Sequence, residues 1–330
     1  MNRRQLQGTA LAVLTLVTAL GATAVLAAGG NAITDPAQAG PAFKVQGEYA
    51  GSSSDGKKWG AQVIDMGKGA YQVVFLTGGL PGAGWDRQGR LVVNARGEGE
   101  TAAFEHRDHN MTGTIGGGKI AGKVGETVTF ELNRLERKSP TLGMEPPAGA
   151  VVLFDGTSAD AWHNGKLVEG NLLNSGVRSK QAFGDFTAHI EFRTPYMPEA
   201  RGQARGNSGV YVQDRYEVQV LDSFGLTGED NECGGIYRQG KPLQNMCFPP
   251  LSWQTYDIDF TAAKFDANGQ KTAPAVITVR HNGVVIHDKV QLKSVTPGGG
   301  KATEDATPGP FQFQDHGNPV VFRNIWVVEK

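Results

Sequence analysis

Clusters of Gly, Asn, Asp and Pro recur about every ten residues along this chain, and the stretches between them lack a convincing amphipathic helical period. Such close punctuation leaves room for short strands and turns but none for crossover helices, so the chain is confined to an all-β fold of antiparallel strands. Glycine reaches 46 of 330 residues, which suits a chain that turns this often. A Pro-rich break at Lys138–Gly149 divides the pattern and reads as a linker. Before it, from Val45 to Arg137, lies a smaller β-rich domain. Its candidate strands are Gly60–Asp65, Ala70–Phe75, Leu91–Ala95, Glu100–His106, Asn110–Ile115, Lys119–Lys123 and Val128–Leu135. After it, residues 150–330 hold about ten more strands with hairpin signals such as Asn282-Gly283, which predicts a two-sheet antiparallel sandwich of jelly-roll type. Residues 292–308 are rich in Pro and Gly and read as a mobile surface loop.

Lys and Arg number 32 against 33 Asp and Glu, scattered along the chain. Neither nucleic acid nor an anionic membrane surface is indicated as a partner. The opening Met1-Asn2-Arg3-Arg4 followed by an apolar run to Ala28 has the form of a secretory signal peptide over residues 1–28. An exported protein is expected, with no membrane contact beyond the export signal; an uncleaved anchor is the rival reading. In an exported chain the two cysteines, Cys233 and Cys247, predict a disulfide. It would close a loop of about 15 residues and add roughly 3 kcal/mol in the loop-entropy account. His106, Asp108 and His109 are the one metal-like cluster, but in a polar bend they read as a solvated turn, and no metal is assigned.

The stretch Gly206–Asp222 carries the chemistry. Gly209–Gln213 and Tyr216–Leu221, rich in Val and Tyr and separated by Asp214-Arg215, predict a tight hairpin. Alternation puts Tyr216, Val218 and Val220 on one face and Glu217, Gln219 and Leu221 on the other. A mid-strand carboxylate two residues from an amide suits a sugar site floored by a sheet, and a bulge after Gln219 would bring Asp222 onto the Glu217 face. The competing reading is a solvent-facing polar stripe.

Several stretches of residues 150–330 resemble the 3-keto-disaccharide hydrolase family, in the family's order. They are Leu153-Phe154-Asp155-Gly156-Thr157 with Trp162, Phe183-Gly184-Asp185-Phe186 leading to Ile190-Glu191-Phe192-Arg193, and Asn207-Ser208-Gly209-Val210-Tyr211. Tyr216–Ser223, Trp253–Asp257, His281–Val284 and the closing Gln314–Val320 with Phe322–Ile325 complete the match. The family is similar to concanavalin-like glucanases and lectins, so the resemblance implies a jelly-roll with a concave sugar groove and a carbohydrate substrate. The first unit is similar to an extra β-domain of some members, which implies no activity. Jelly-rolls of this kind often hold a structural calcium, but no spacing here compels one and no cofactor is required.

The related glucanases place two glutamates around an aspartate on the signature strand. Here the positions read Glu217, Gln219 and Asp222, and the central amide argues against an ordinary double displacement. A sugar ketone at C3 would let one base remove the C2 hydrogen and expel the C1 substituent, with water added afterwards. Glu217, Asp222 and His316 are the candidate catalytic residues, His316 as a proton carrier near neutral pH. Gln219, Asn207, Arg178 and Tyr211 are the candidate substrate-binding residues, Asn207 and Arg178 for hydroxyls or the enolate oxygen and Tyr211 as a stacking platform. Trp253 could also stack on a sugar ring but is expected in the core, and Arg323 and Asp315 are expected as an ion pair or fold bracket. A lectin-like binder using the same groove, or a surface scaffold, remains the alternative.

Overall fold

The computed structural model of the chain describes residues 32–330; the leader expected over residues 1–28 lies outside them. Eight antiparallel strands form a closed barrel: Gly47–Ser53, Lys58–Asp65, Ala70–Thr77, Arg90–Glu98, Thr101–His106, Met111–Gly116, Lys119–Val124 and Val128–Leu135. Closure comes from Gly47–Ser53, which pairs with both the second and the last strand and which the sequence reading missed. Its two interior glycine and alanine positions carry no strand signal. Closing the sheet removes both exposed edges. Tyr49, Val63, Tyr71, Val73, Phe75 and Phe130 fill the barrel. Their neighbours Ile64, Val74 and Leu76 point outward and join the core of the second unit. Burial on both faces explains the unbroken run Val73-Val74-Phe75-Leu76.

The second unit is a sandwich. One sheet orders Trp162–His163, Val177–Phe183, Gly309–Phe313, Ser208–Val212 and Tyr216–Val220. The other orders Leu167–Val168, Leu172–Asn174, Val321–Glu329, Phe186–Arg193, Gln254–Thr261, Val276–His281 and Val284–Gln291, with Val151–Phe154 also paired to Val321–Glu329. Phe186, Ile190, Phe192, Tyr256, Ile258 and Phe260 from the larger sheet meet Val210, Val212, Tyr216, Val218, Phe311 and Phe313 from the smaller. Thus the architecture is all-β, a barrel followed by a jelly-roll-like sandwich.

The two units share more than a linker. Tyr196 donates its hydroxyl to Asp65, the Arg205 guanidinium reaches the Asp65 carbonyl at 3.2 Å, and Arg90 reaches the Gly225 carbonyl at 2.8 Å. Arg137 grips the buried Glu48 with two nitrogens and lies 5.0 Å from the Phe248 ring. The connector itself lies along the outer face of the larger sheet. Ser139 meets Thr255 at 2.6 Å, Thr141 donates to Asp257 at 2.7 Å, and the Met144 carbonyl accepts from Asn324 and Trp326, each at 3.1 Å.

Three local expectations are corrected. Arg323 pairs with Glu191 at 2.7 Å, while Asp315 caps the Gly317 amide at 2.8 Å, so they form no pair with each other. Trp253 is only half-buried, its ring 5.2 Å from the Arg193 guanidinium and 4.0 Å from that of Arg323. The segment 292–308 is fastened rather than free. The fully buried Arg215 binds the Thr303 and Thr307 carbonyls, each at 3.1 Å, and the Asp305 carboxylate at 2.5 Å.

Candidate active site

The predicted hairpin forms with Ser208–Val212 and Tyr216–Val220, but its turn takes three residues, Gln213 to Arg215. Gln213 and Asp214 both lie in the left-handed region, at φ +53° and +58°. Asp214 is fixed there by the Gly300 amide at 2.7 Å and by Arg178 at 3.0 Å. Tyr216, Val218 and Val220 enter the core as alternation requires. The strand ends at Val220, so Leu221 also turns into the core and does not share the Glu217 face.

On the outer side of the smaller sheet, Tyr211 and Glu217 face each other across the hairpin. The Glu217 side chain lies over Gly209, where an added Cβ would fall 2.1 Å from Oε1. Only glycine leaves the carboxylate this place. The edge of the Glu217 strand is covered by the segment Gly234–Gly240. The Gln219 amide donates to the Gly235 carbonyl at 2.9 Å, and the Tyr237 amide to the Glu217 carbonyl at 3.2 Å. The Glu217 amide donates to the Thr296 hydroxyl at 3.1 Å. Two segments, Gly234–Gly240 and the loop of Thr296, are thus fastened to the strand that carries the carboxylate.

The cavity at this carboxylate is about 230 Å³, below the roughly 300–1,000 Å³ of drug-sized sites, and suits one sugar ring. It brings together Glu217, Gln219, Asn207, Tyr211 and His316, five of the seven residues singled out for chemistry or binding. Glu217 is the one carboxylate in its lining. Burial pushes the Glu217 pKa up to about 7 against the pull of the Tyr211 bond. The Tyr211 hydroxyl lies 3.0 Å from Glu217 Oε2 and 2.8 Å from the Pro297 carbonyl. A single hydroxyl hydrogen cannot serve two acceptors. When Glu217 is protonated it can donate to Tyr211, which is then free to donate to Pro297. When Glu217 is ionised the Tyr211 bond supports the carboxylate, so the rise in pKa comes from burial.

Amides form the rest of the floor. Gln203 Oε1 accepts from Asn207 at 3.2 Å and from Gln219 at 3.1 Å. Asn207 Oδ1 is buried with no partner among the described residues, an acceptor that a sugar hydroxyl would satisfy. His316 sits exposed at the rim. Gln203, Gln314, Tyr237 and Arg238 also line the cavity and were missed. Gln203 stands on the short 3-10 helix Gly202–Ala204 and the others on loops, whose paths no strand pattern gives.

Two predicted residues stand elsewhere. Asp222 is buried in an ion pair with Arg205 at 2.7 Å, and its amide donates to the Arg205 carbonyl at 3.1 Å. It braces the segment that leads to Asn207. Arg178 is taken up by Asp214 and by Gln312 at 2.9 Å. Neither lines the cavity. The cysteines are free thiols, both buried, so the expected disulfide is not formed. Cys233 Sγ is engaged with the Tyr256 hydroxyl at 3.3 Å, and Cys247 Sγ with the Leu221 and Phe248 carbonyls, each at 3.5 Å. His106 and His109 lie 3.3 Å apart in an exposed turn, and among the described residues no group of three or more potential ligands is placed to hold a metal.

A larger cleft of about 500 Å³ opens on the other sheet, beside Glu191, Arg323 and Asn324. Its chemistry is that of a latch. Burial works against the Glu191 charge, yet bonds from His189, Asn324, the Gly143 amide and Arg323 outweigh it and hold the carboxyl down at about 2. Burial likewise opposes a charged His189, but Asp257 at 2.6 Å and Glu191 at 3.4 Å raise its pKa overall. A carboxylate held ionised by four partners, three on Oε1 and Arg323 on Oε2, is a poor acceptor for a substrate proton near neutral pH.

The 3-keto-alpha-glucoside-1,2-lyase-like domain matches residues 149–328. Among solved structures, a candidate glycosyl hydrolase from Parabacteroides distasonis is 34% identical, covering 56% of this chain and 85% of its own, with a TM-score of 0.51. Two others of the same description and organism are 17% and 18% identical. They cover 55% of this chain and 94% and 99% of theirs, with TM-scores of 0.39. A search of curated proteins returns no match.

Proposed function

The chain belongs to the 3-keto-alpha-glucoside-1,2-lyase-like family, and on that premise we propose that it cleaves glycosides whose sugar carries a ketone at C3, by elimination and rehydration around Glu217. The observation that carries this reading is the solitary carboxylate. Direct hydrolysis uses two carboxyl groups about 5 to 9.5 Å apart, and Glu217 has no second carboxylate beside it in the cavity. One base is enough when a ketone acidifies the neighbouring C2 hydrogen, and a base with a pKa of about 7 is matched to that work near neutral pH.

In this account Glu217 takes the C2 proton and the C3 oxygen carries the enolate charge. The enolate then collapses, a C1–C2 double bond forms, and the C1–O bond breaks. The leaving oxygen takes a proton from His316 at the open rim. Water adds next: its hydroxyl goes to C1, its proton to His316, and the Glu217 proton returns to C2. Asn207 Oδ1 accepts a ring hydroxyl, and Tyr211 sets the proton position on Glu217. The basic start and apolar run of the leader support export of the enzyme.

Turnover of a 3-keto-glucoside by the Glu217→Gln chain tests the assignment. The loss should be on the order of a hundredfold or more for a general base. A drop of only a few-fold, with the fold intact, would remove Glu217 from the chemistry. Retained binding together with no turnover by the unaltered chain would instead favour a lectin.

A further inference from the structure

Removing the C2 proton moves a negative charge from Glu217 onto the sugar's C3 oxygen, and a donor must already stand where that charge develops. Several donors in the cavity are spent. Asn207 Nδ2 is held by the Gln203 carbonyl at 2.8 Å and by Gln203 Oε1 at 3.2 Å. Gln219 Nε2 is held by the same Oε1 at 3.1 Å. Tyr211 serves Glu217 and Pro297. The Tyr237 hydroxyl, Gln314 Nε2 and His316, which also line it, make no hydrogen bond among the described residues, but none of them carries the permanent positive charge of a guanidinium. Arg178, which the sequence suggested for this oxygen, is occupied by Asp214 and Gln312 outside the cavity.

Arg238 is different. It lines the cavity, and among the described residues its guanidinium makes no ion pair; it rests 5.6 Å from the Tyr237 ring. Its backbone is held in the left-handed region at φ +61°, a conformation that non-glycine residues adopt rarely and that clusters at functional sites. The turn that carries it is rigidly tied. The Tyr237 amide binds the Glu217 carbonyl at 3.2 Å, and the Gln239 and Gly240 amides bind the Ile236 carbonyl at 2.8 and 3.0 Å. The backbone that carries this exposed side chain is therefore tied to the strand of the base, and the unpaired guanidinium can turn from it toward the cavity.

We propose that Arg238 is a catalytic residue whose guanidinium binds the C3 oxygen of the 3-keto sugar and stabilises the enolate formed when Glu217 removes the C2 proton. This rests on the elimination reading above. In the step the C2–H electron pair becomes the C2–C3 double bond, the carbonyl pair moves onto the C3 oxygen against Arg238, and the proton stays on Glu217. No oxidant or reductant is consumed.

Arg238→Gly tests it, because glycine accepts φ +61° freely, so the guanidinium and its stem are removed without straining the turn. With a 3-keto-glucoside, kcat should fall about a hundredfold or more, with KM changed less than about threefold. The kinetic isotope effect from deuterium at C2 should grow as deprotonation becomes limiting, and added guanidinium ion should restore part of the rate. Arg238→Lys, which keeps the charge but not the fork, should fall between the two. If the unaltered chain turns over and Arg238→Gly stays within about fivefold of it, the assignment of Arg238 is wrong and the elimination reading stands. If the unaltered chain does not turn over a 3-keto-glucoside at all, both fall.

Discussion

At the scale of single residues, Glu217 sets the pH behaviour. Its folded pKa, about 7, lies above the ordinary carboxylate range, so the folded chain holds a proton that the unfolded chain releases between pH 4.5 and 7. Stability contributed by this group is full below the unfolded pKa and is lost as pH rises through the folded one. Glu217→Gln should therefore melt higher than the unaltered chain at pH 8, by up to about 3 kcal/mol, and the gap should close toward pH 4. Catalysis has the opposite sign, because the base works deprotonated, so kcat/KM should climb through about pH 7. Thermal melts and rate profiles across pH 4–9 check both; a gap that does not change with pH contradicts the buried, uncompensated carboxylate. Hairpin alternation let the sequence place Glu217 and Gln219 on one face, whereas Asn207, which precedes the strand, and Tyr211, expected as a stacking platform, do not follow from that alternation. Asp222 was misplaced because the strand ends at Val220 and the chain turns toward Arg205. Arg178 was misplaced because its partner, Asp214, is set by a turn geometry that the letters Asp214-Arg215 did not reveal.

At the scale of elements, the hairpin works because Gly209 gives way to a carboxylate on the facing strand. Gly209→Ala puts a methyl 2.1 Å from Glu217 Oε1 and should push the side chain off the floor. The expected result is a loss of turnover on the order of tenfold or more with the sheet intact, since misplacing a reacting group by about an ångström is costly. Unchanged kcat in a folded Gly209→Ala chain would mean that the seat of Glu217 is not set by this contact. Strands were the most legible elements, because apolar alternation and turn residues mark them directly. Gly47–Ser53 escaped because its small residues pack without a pattern. Gln203 escaped because a single 3-10 turn, Gly202–Ala204, leaves no periodic signal, and Tyr237 and Arg238 because the loop that carries them follows hydrogen bonds to the Glu217 strand.

At the scale of the whole molecule, the barrel and the sandwich meet through Ile64, Val74, Leu76 and Leu80 and through the buried contacts of Asp65 and Arg137. The sequence showed two units and a Pro-rich break, but it could not show that the break is tied down by Ser139, Thr141 and Met144. Calorimetry should give one cooperative transition, and proteolysis should spare residues 139–146 in the native chain; two separate transitions would contradict an interface of this kind. The same barrel strand supplies Asp65, which holds Tyr196 and the Arg205 segment beside Asn207. The site is therefore a property of the whole chain.

The central claim is that one carboxylate suffices because the sugar's own ketone supplies the acidity. Release of aglycone from a 3-keto-glucoside and from the parent glucoside, measured side by side with the full chain at pH 7, tests it most directly. The account predicts steady release from the oxidised sugar and none above background from the parent. Comparable rates on the two would contradict it.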